Sequence, residues 1–354
     1  MATWQHTDII VDGQAVKAQV PLIVSASRST DIPAFYADWF FHCLEKGYSA
    51  WTNPFNGVKS YVSYENTRFI VFWSKNPRQL LPYLHILKER NIKCYIQYTL
   101  NDYEKEKLEK VPSLATRIET FKLLVEQLGK GAVIWRFDPM ILTDDISVDD
   151  LLRKVQNIGN HLKGYTEKLV FSFADITEYR KVKSNLEANH INYQLFTEET
   201  MRQFAASLEK LNEKWGYELA TCGERINLEE YHIVHNHCVD DALIAKIAYQ
   251  DTALMNFLGM EVVTHFGKDF GTIIPEDAIE ISDTVYVRRK KDNKDKGQRQ
   301  FCGCIISKDI GQYNTCAHLC EYCYANTSKA TAVRNWKKHK ENPDCENILG
   351  DNKE

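Results

Sequence analysis

Cys316, Cys320 and Cys323 stand in the run Thr315-Cys-Ala-His-Leu-Cys-Glu-Tyr-Cys-Tyr-Ala-Asn326. The spacing is C-x3-C-x2-C, with an aromatic residue directly before the last thiol. Three thiolates on one short loop can ligate three irons of a cubane [4Fe–4S] cluster. The fourth iron is then left without a protein ligand. It can chelate the amino and carboxylate groups of S-adenosylmethionine, and an electron passed into the sulfonium splits off a 5′-deoxyadenosyl radical. In such chemistry the cofactor carries the reaction, and the protein supplies position and shielding. Zinc also uses short cysteine spacings, but it takes four ligands, commonly as two C-x2-C pairs. Three clustered thiols fit the cubane better, with zinc and a metal-free loop as the alternatives.

Four more cysteines come from three other segments. Cys302 and Cys304 form a C-x-C just upstream, Cys222 follows the strand-like Tyr217-Glu-Leu-Ala-Thr221, and Cys238 lies in His235-Asn-His-Cys-Val-Asp240. Four thiols can close a second site, either another [4Fe–4S] cluster or a tetrahedral zinc. The plain alternative is a set of buried free thiols, since cysteine is among the most buried residue types. Cys43, Cys94 and Cys345 read as structural or incidental. His318, inside the first loop, reads as a hydrogen-bonding support for the ligands. His232, His235 and His237 lie beside Cys238, but most simply none of them is a ligand.

The frame around these residues is that of a soluble globular protein, with 44% hydrophobic and 26% charged residues in 354. A formal charge of −4 argues against nucleic-acid binding by the whole surface. No apolar run follows a basic start, and none approaches about 18 residues, so neither a secretory signal nor a membrane partner is expected. Ten cysteines without such a signal point to a reducing cytoplasm, where they serve metals rather than disulfides.

Strand-length apolar runs occur at Leu22–Ser25, Phe69–Trp73, Cys94–Tyr98, Ala132–Trp135, Leu169–Phe173 and Tyr217–Ala220, with a shorter one at Ser49–Thr52. Between them, apolar residues at three- and four-residue spacing predict helices such as Ala34–Leu44, Gln79–Lys88, Ser113–Leu128 and Thr200–Lys214. Repeated βα units predict an α/β fold with a parallel sheet, and about seven of them predict a TIM-like or partial (β/α) barrel. The expected organisation is an N-terminal hairpin over residues 1–20 and βα barrel units over 21–249. An insertion and basic linker over 250–300, a cysteine-rich βα unit over 301–340 and a polar tail over 341–354 follow.

Polar residues gather where these strands end, and in a βα barrel those ends form the active-site face. Ser27 and Arg28 follow the first strand, and Asn53 the second. Lys75 follows the third, Gln97 and Thr99 end the fourth, and Arg136 and Asp138 end the fifth. Glu224 follows the last, beside Cys222. Arg28 and Arg136 can clamp a carboxylate or phosphate with the planar guanidinium fork. Asp138 or Glu224 can bond ribose hydroxyls or move protons. Arg28, Lys75, Arg136, Asp138 and Glu224 are the candidate catalytic set, and Ser27, Asn53, Gln97 and Thr99 the candidate cofactor-binding set. Taken singly, each is equally well turn or cap chemistry.

The cysteine loop resembles the radical-SAM superfamily. More closely, Ser25-Ala-Ser-Arg-Ser-Thr-Asp-Ile-Pro-Ala-Phe-Tyr36, Asn53-Pro-Phe-Asn56, Val71-Phe-Trp-Ser-Lys-Asn-Pro77, Trp135-Arg-Phe-Asp-Pro139 and Asp309-Ile-Gly-Gln-Tyr-Asn-Thr-Cys316 together resemble a bacterial family of domains of unknown function. That family is recognised by an SASR-x-TDIPAF block and a C-terminal C-x3-C-x2-C block, and it is regarded as radical-SAM-like. The resemblance runs from about Pro21 to about Thr327, interrupted by Gln250–Tyr286. It implies cluster binding, and its pattern includes cysteines matching Cys222, Cys238, Cys302 and Cys304. It names no substrate.

Radical-SAM enzymes usually carry the cysteine loop after the first barrel strand. Here it comes last, after a strand-like Gly303–Ser307, so the expected barrel is circularly permuted. The last unit would sit beside Pro21–Ser25. No Gly-Gly-Glu run is present. The basic run Val287–Arg299 reads as a solvated loop, or as a guide for a phosphate-bearing or nucleic-acid substrate. The resulting expectation is a radical-SAM iron–sulfur enzyme of unknown substrate, served by a reducing donor such as flavodoxin or ferredoxin. The alternative is a binding module stabilised by iron–sulfur or zinc, recognising nucleic acid or another partner.

Overall fold

The computed structural model describes residues 4–53 and 56–350. Its centre is one sheet of eight strands. In chain order these are β1 (Ile23–Ala26), β2 (Phe69–Ser74), β3 (Lys93–Thr99), β4 (Val133–Met140), β5 (Lys168–Phe173), β6 (Glu218–Thr221), β7 (Ile233–His235) and β8 (Lys308–Asp309). Their spatial order is β7-β6-β5-β4-β3-β2-β1-β8, and every pairing is parallel. The last strand thus lies beside the first, with Lys308 opposite Val24 and Asp309 opposite Ser25.

The expected α/β fold with a large parallel sheet is present, and no ladder joins β7 to β8 among the described residues, so the sheet shows two edges. Between these edges Ile305 N donates to Val239 O at 3.1 Å, Val239 N donates to Cys304 Sγ at 3.3 Å, and Cys304 also meets the Cys238 sulfur. Two expectations need correction. The strand expected at Gly303–Ser307 is displaced to Lys308–Asp309, because Cys304 O accepts from Asp295 N and Ile305 bridges Lys294. The run Ser49–Thr52 belongs elsewhere. Tyr48–Thr52 pairs antiparallel with Lys59–Ser63, which lies parallel to Gln14–Gln19, itself in a hairpin with His6–Val11. Asn53 therefore closes a hairpin turn, its N–H on Val58 O, and does not end a strand of the parallel sheet.

Successive side chains of a strand point to opposite faces, and the two faces of this sheet have different neighbours. Val24, Ile70, Ile96, Trp135 and Leu169 belong to the core shared with the helices. Ile23, Val71, Tyr95, Ile134 and Val170 pack with Val239, Ile244, Leu254 and Ile305, from the segment after β7. In register on this second face lie Trp73 beside Gln97, and Thr99 beside Arg136. The helices start where the sequence caps them. Ser147 and Asp150 form a capping box before Val148–Leu162, and Asp31 with Pro33 opens Ile32–Phe35. Segment 250–289 forms the helix Thr252–Leu258 and a three-stranded antiparallel sheet. No described helix is long and apolar enough to cross a membrane.

Residues read as a polar tail are in fact packed. Cys345 and Ile348 are buried, Trp39 Nε1 donates to Cys345 O at 2.9 Å, and Ala50 N donates to Glu346 O at 2.7 Å. Cys43 and Cys94 are buried thiols of the core.

Lys308 is buried on β8, with Nζ 3.8 Å from the Trp51 ring centre and no ion pair among the described residues. Burial lowers its pKa to about 8, against a smaller opposing pull from Asp309. A lysine whose folded pKa lies below its unfolded value binds fewer protons folded than unfolded between the two. Stability therefore rises with pH from about 8 to the unfolded value near 10.4. The ring face attracts the ammonium and moderates the cost. Lys308→Met is expected to stabilise the fold by about 1–3 kcal/mol at pH 7. In thermal melts that gain should vanish near pH 11; a loss of stability at pH 7 would refute it.

Candidate metal centre

The loop after β1 and the loop after β8 form one structure. Asp309 binds the first of them, accepting from Ser25 Oγ at 3.0 Å, Ser27 Oγ at 2.7 Å and Arg28 N at 2.9 Å. Thr30 Oγ1 donates to Gln312 O at 2.6 Å, Tyr36 Oη to Thr315 O at 2.7 Å, and Tyr324 Oη to Arg28 O at 2.6 Å. Asp31 is the hub. Its carboxylate accepts from Ala34 N (3.0 Å), Ser74 Oγ (2.6 Å) and Lys75 N (2.7 Å), and contacts His318 Nε2 at 2.7 Å. His318 Nδ1 meets Lys110 O at 3.0 Å. Both ring nitrogens face acceptors, so the imidazole between Cys316 and Cys320 is held from two sides.

Of the three loop thiols, Cys320 is buried and the other two are half-buried. Burial pushes Cys316 up to about 12 and raises Cys320 as well, although Lys75 acts against it. A coordinated cation removes such protons outright. Among the described residues, the trio of ligand atoms drawn within 4.8 Å of one another is that of His237, Asp240 and Asp241; the three loop sulfurs are spread wider. Tetrahedral zinc draws its sulfurs to roughly 3.8 Å of one another, given Zn–S bonds of about 2.3 Å. A cube with one iron per thiolate needs more room. A spread of the three sulfurs beyond 4.8 Å is compatible with the cube.

The second set of thiols also converges. Cys222 Sγ lies 3.3 Å from Cys238 Sγ. Sulfur contacts from Cys222 and Cys304, then the Arg136 guanidinium, hold Cys238 well below the ordinary thiol range. Cys304 is raised by its contacts with Cys238 and Cys302 and by burial. N–H groups surround the sulfurs: Arg136 Nη1 donates to Cys238 at 3.0 Å and Asn236 Nδ2 at 3.3 Å. Such bonds tune iron–sulfur sites. The Arg28 guanidinium stands over Trp73 at 5.3 Å. Burial opposes its charge, but Cys304, Asp309, Cys238 and Cys302 outweigh that and raise its pKa. Its Nη2 is buried without a hydrogen-bond partner, as is Asn236 Oδ1. Two arginines beside four thiols supply the positive charge that a thiolate-ligated cluster requires.

The strand-end residues divide. Gln97 donates to Cys238 O at 2.9 Å and accepts from Arg136 at 3.2 Å. Arg136 also pairs with Asp138, which accepts from Ser172. Its guanidinium is thus committed to protein groups and is no free anion clamp. Ser27 likewise serves β8. Lys75 is half-buried with Nζ 2.9 Å from both Glu109 Oε1 and Tyr322 Oη, beside Cys320. Thr99 is half-buried at the end of β3, beside Arg136. Glu224 is buried and accepts from Phe173 N at 2.9 Å, and burial lifts its pKa to about 7. Asp309, Glu109 and Tyr322 were not among the sequence candidates. The partners that give them their place here, Ser25 for Asp309 and Lys75 for Glu109 and Tyr322, lie 34 to 284 residues away, and no local pattern marks them.

A family model described as Domain of unknown function (DUF1848) matches residues 23–325. No curated protein matches the chain. A solved structure of a histidine-to-alanine mutant of D-threo-3-hydroxyaspartate dehydratase is 10% identical, with a TM-score of 0.27, over 66% of each chain. The chain thus spans just under two thirds of that protein, and a likeness this slight carries no argument.

Proposed function

The chain belongs to the DUF1848 family, and from that premise we propose that it is a radical-SAM-like iron–sulfur enzyme. The observation that carries this reading is the clasp of the β1 loop on the C-x3-C-x2-C loop, which gathers three buried or half-buried thiols at the end of a parallel sheet. Cys316, Cys320 and Cys323 would hold a [4Fe–4S] cluster, and Cys222, Cys238, Cys302 and Cys304 a second cluster or a zinc. The first group, when bound with S-adenosylmethionine, supplies a 5′-deoxyadenosyl radical.

The chain's own residues position and shield. Asp31, Thr30 and Tyr36 fix the loop, and Lys75 sets a half-buried positive charge beside Cys320. Arg28 offers an unpartnered Nη2 to a carboxylate or phosphate oxygen. Glu224, with a pKa near neutrality, can hold or release a proton at its carboxylate, and Asp138 keeps Arg136 aimed at Cys238. The place of β8 beside β1 supports the further reading of a radical-SAM-type barrel permuted in chain order.

The test is electron paramagnetic resonance of anaerobically iron-reconstituted protein, with dithionite standing in for a donor such as flavodoxin or ferredoxin. A cubane signal that shifts on adding S-adenosylmethionine is expected. A signal indifferent to it, or zinc under anaerobic handling, would sink the enzyme reading in favour of a metal-stabilised binding module.

A further inference from the structure

The open edge of the sheet holds a cavity of about 580 Å³, between the residues after β7 and the segment leading to β8. Its volume suits a small molecule, and its walls are built for one. His235 and His237 come from one side, Arg289, Lys291 and Lys294 from another, and Phe301 and the half-buried Cys302 from a third.

Charge decides what it takes. Asp241, in the wall, is neutralised by Arg289, which donates from Nε at 2.8 Å and Nη2 at 2.9 Å. Asp240 is engaged as a helix cap, accepting from Ala242 N at 2.9 Å and Leu243 N at 3.3 Å. The trio of His237, Asp240 and Asp241 is therefore committed to the protein's own donors and makes a poor cation site. Lys291 has no ion pair among the described residues, and Lys294 Nζ touches only the carbonyl of Gln300, at 2.7 Å. With Asp292 as the one other acid in the wall, positive charge prevails.

Side chains of the wall are also held in place. A Cβ on Gly259 would meet Lys291 Cε and Cγ at 2.4 Å, so the glycine gives the lysine stem a flat bed. A Cβ on Gly303 would meet His237 Cδ2 at 2.1 Å, so the absence of a side chain there lets the ring lie on the backbone next to Cys302. Phe301, 37% exposed, gives an apolar flank.

We propose that this cavity binds a small organic phosphate, with the phosphate toward Lys291 and Lys294 and the organic body on Phe301. Cys302 is the thiol of the second group that lines it, so the ligand would enter against that group from the open edge. The inference deepens the proposed function by naming a substrate class, and rests on that reading only for the step from ligand to substrate.

The test is calorimetric titration of anaerobically reconstituted protein with phenyl phosphate and, separately, phenol, in phosphate-free buffer of low ionic strength. Phenyl phosphate is expected to bind at least tenfold more tightly than phenol. The double variant Lys291→Met with Lys294→Met should weaken it at least tenfold, at unchanged melting temperature and iron content. Equal binding of the two probes, or a double variant that binds as tightly as its parent, would overturn the proposal. Iron content and the response to S-adenosylmethionine are read on the same samples. Phosphate binding by a protein that takes no iron supports the cavity and sinks the enzyme reading. Iron-loaded protein that ignores phenyl phosphate sinks the cavity alone.

Discussion

Cys320→Ala is expected to lose the iron of the loop cluster, the whole response of the spectrum to S-adenosylmethionine, and reductive cleavage of that molecule. Cys320 is buried, lies beside the Lys75 ammonium, and stands in the middle of the three loop thiols. Two thiols cannot hold the cube that three hold. Residues that merely support a metal ligand cost 10–100-fold when changed, and loss of a ligand should exceed that range in the rate of 5′-deoxyadenosine release. Metal held by the second thiol set should remain, because that set is drawn from other segments. Cys94→Ala is the control, since that thiol is buried in the core outside both sets. A Cys320→Ala protein with full iron and an unchanged response would remove the loop from the chemistry.

Asp31→Ala should have the largest effect on stability, about 3–5 kcal/mol, by equilibrium denaturation. The change strips the partner from three buried groups, Ala34 N, Ser74 Oγ and His318 Nε2, and from the half-buried Lys75 N. Asp31→Asn keeps the shape but turns one acceptor into a donor facing other donors, so it should recover little. Iron uptake should fall in both variants, because His318 is anchored between two of the loop thiols. A loss below about 1 kcal/mol would show that the clasp does not depend on this hub.

Much of the sheet was legible because strands buried on both faces are continuous apolar runs. Phe69–Trp73 and Leu169–Phe173 could hardly be anything else. Where the physics is weaker, the pattern failed. β7 has three residues and one buried side chain, so no run marks it. Tyr48–Thr52 is a real strand, but a short apolar run does not say which sheet will claim it. The hairpin partner Lys59–Ser63 did. The spacing of Cys316, Cys320 and Cys323 was readable because those thiols are local. The roles of Asp31, Asp309 and Glu109 were not, since a carboxylate in a loop looks like any cap until the fold brings a distant donor to it. Arg136 shows the converse. Its position was foreseen, but only the structure reveals that Cys238, Gln97 and Asp138 already occupy its donors.

The pairing of β1 with β8 joins residues 284 positions apart, and this has a consequence for biogenesis. On the ribosome the segment that completes the β1 edge emerges 284 residues after it. At roughly 5–20 residues per second, that edge waits about a quarter of a minute to a minute. An unpaired strand edge is a template for wrong partners, and a contact of such long range is slow to form. The loop thiols at 316–323, proposed to hold metal, are made later still. The β1 edge therefore stays unpaired while the strands between are made, and chaperones have that interval in which to guard it.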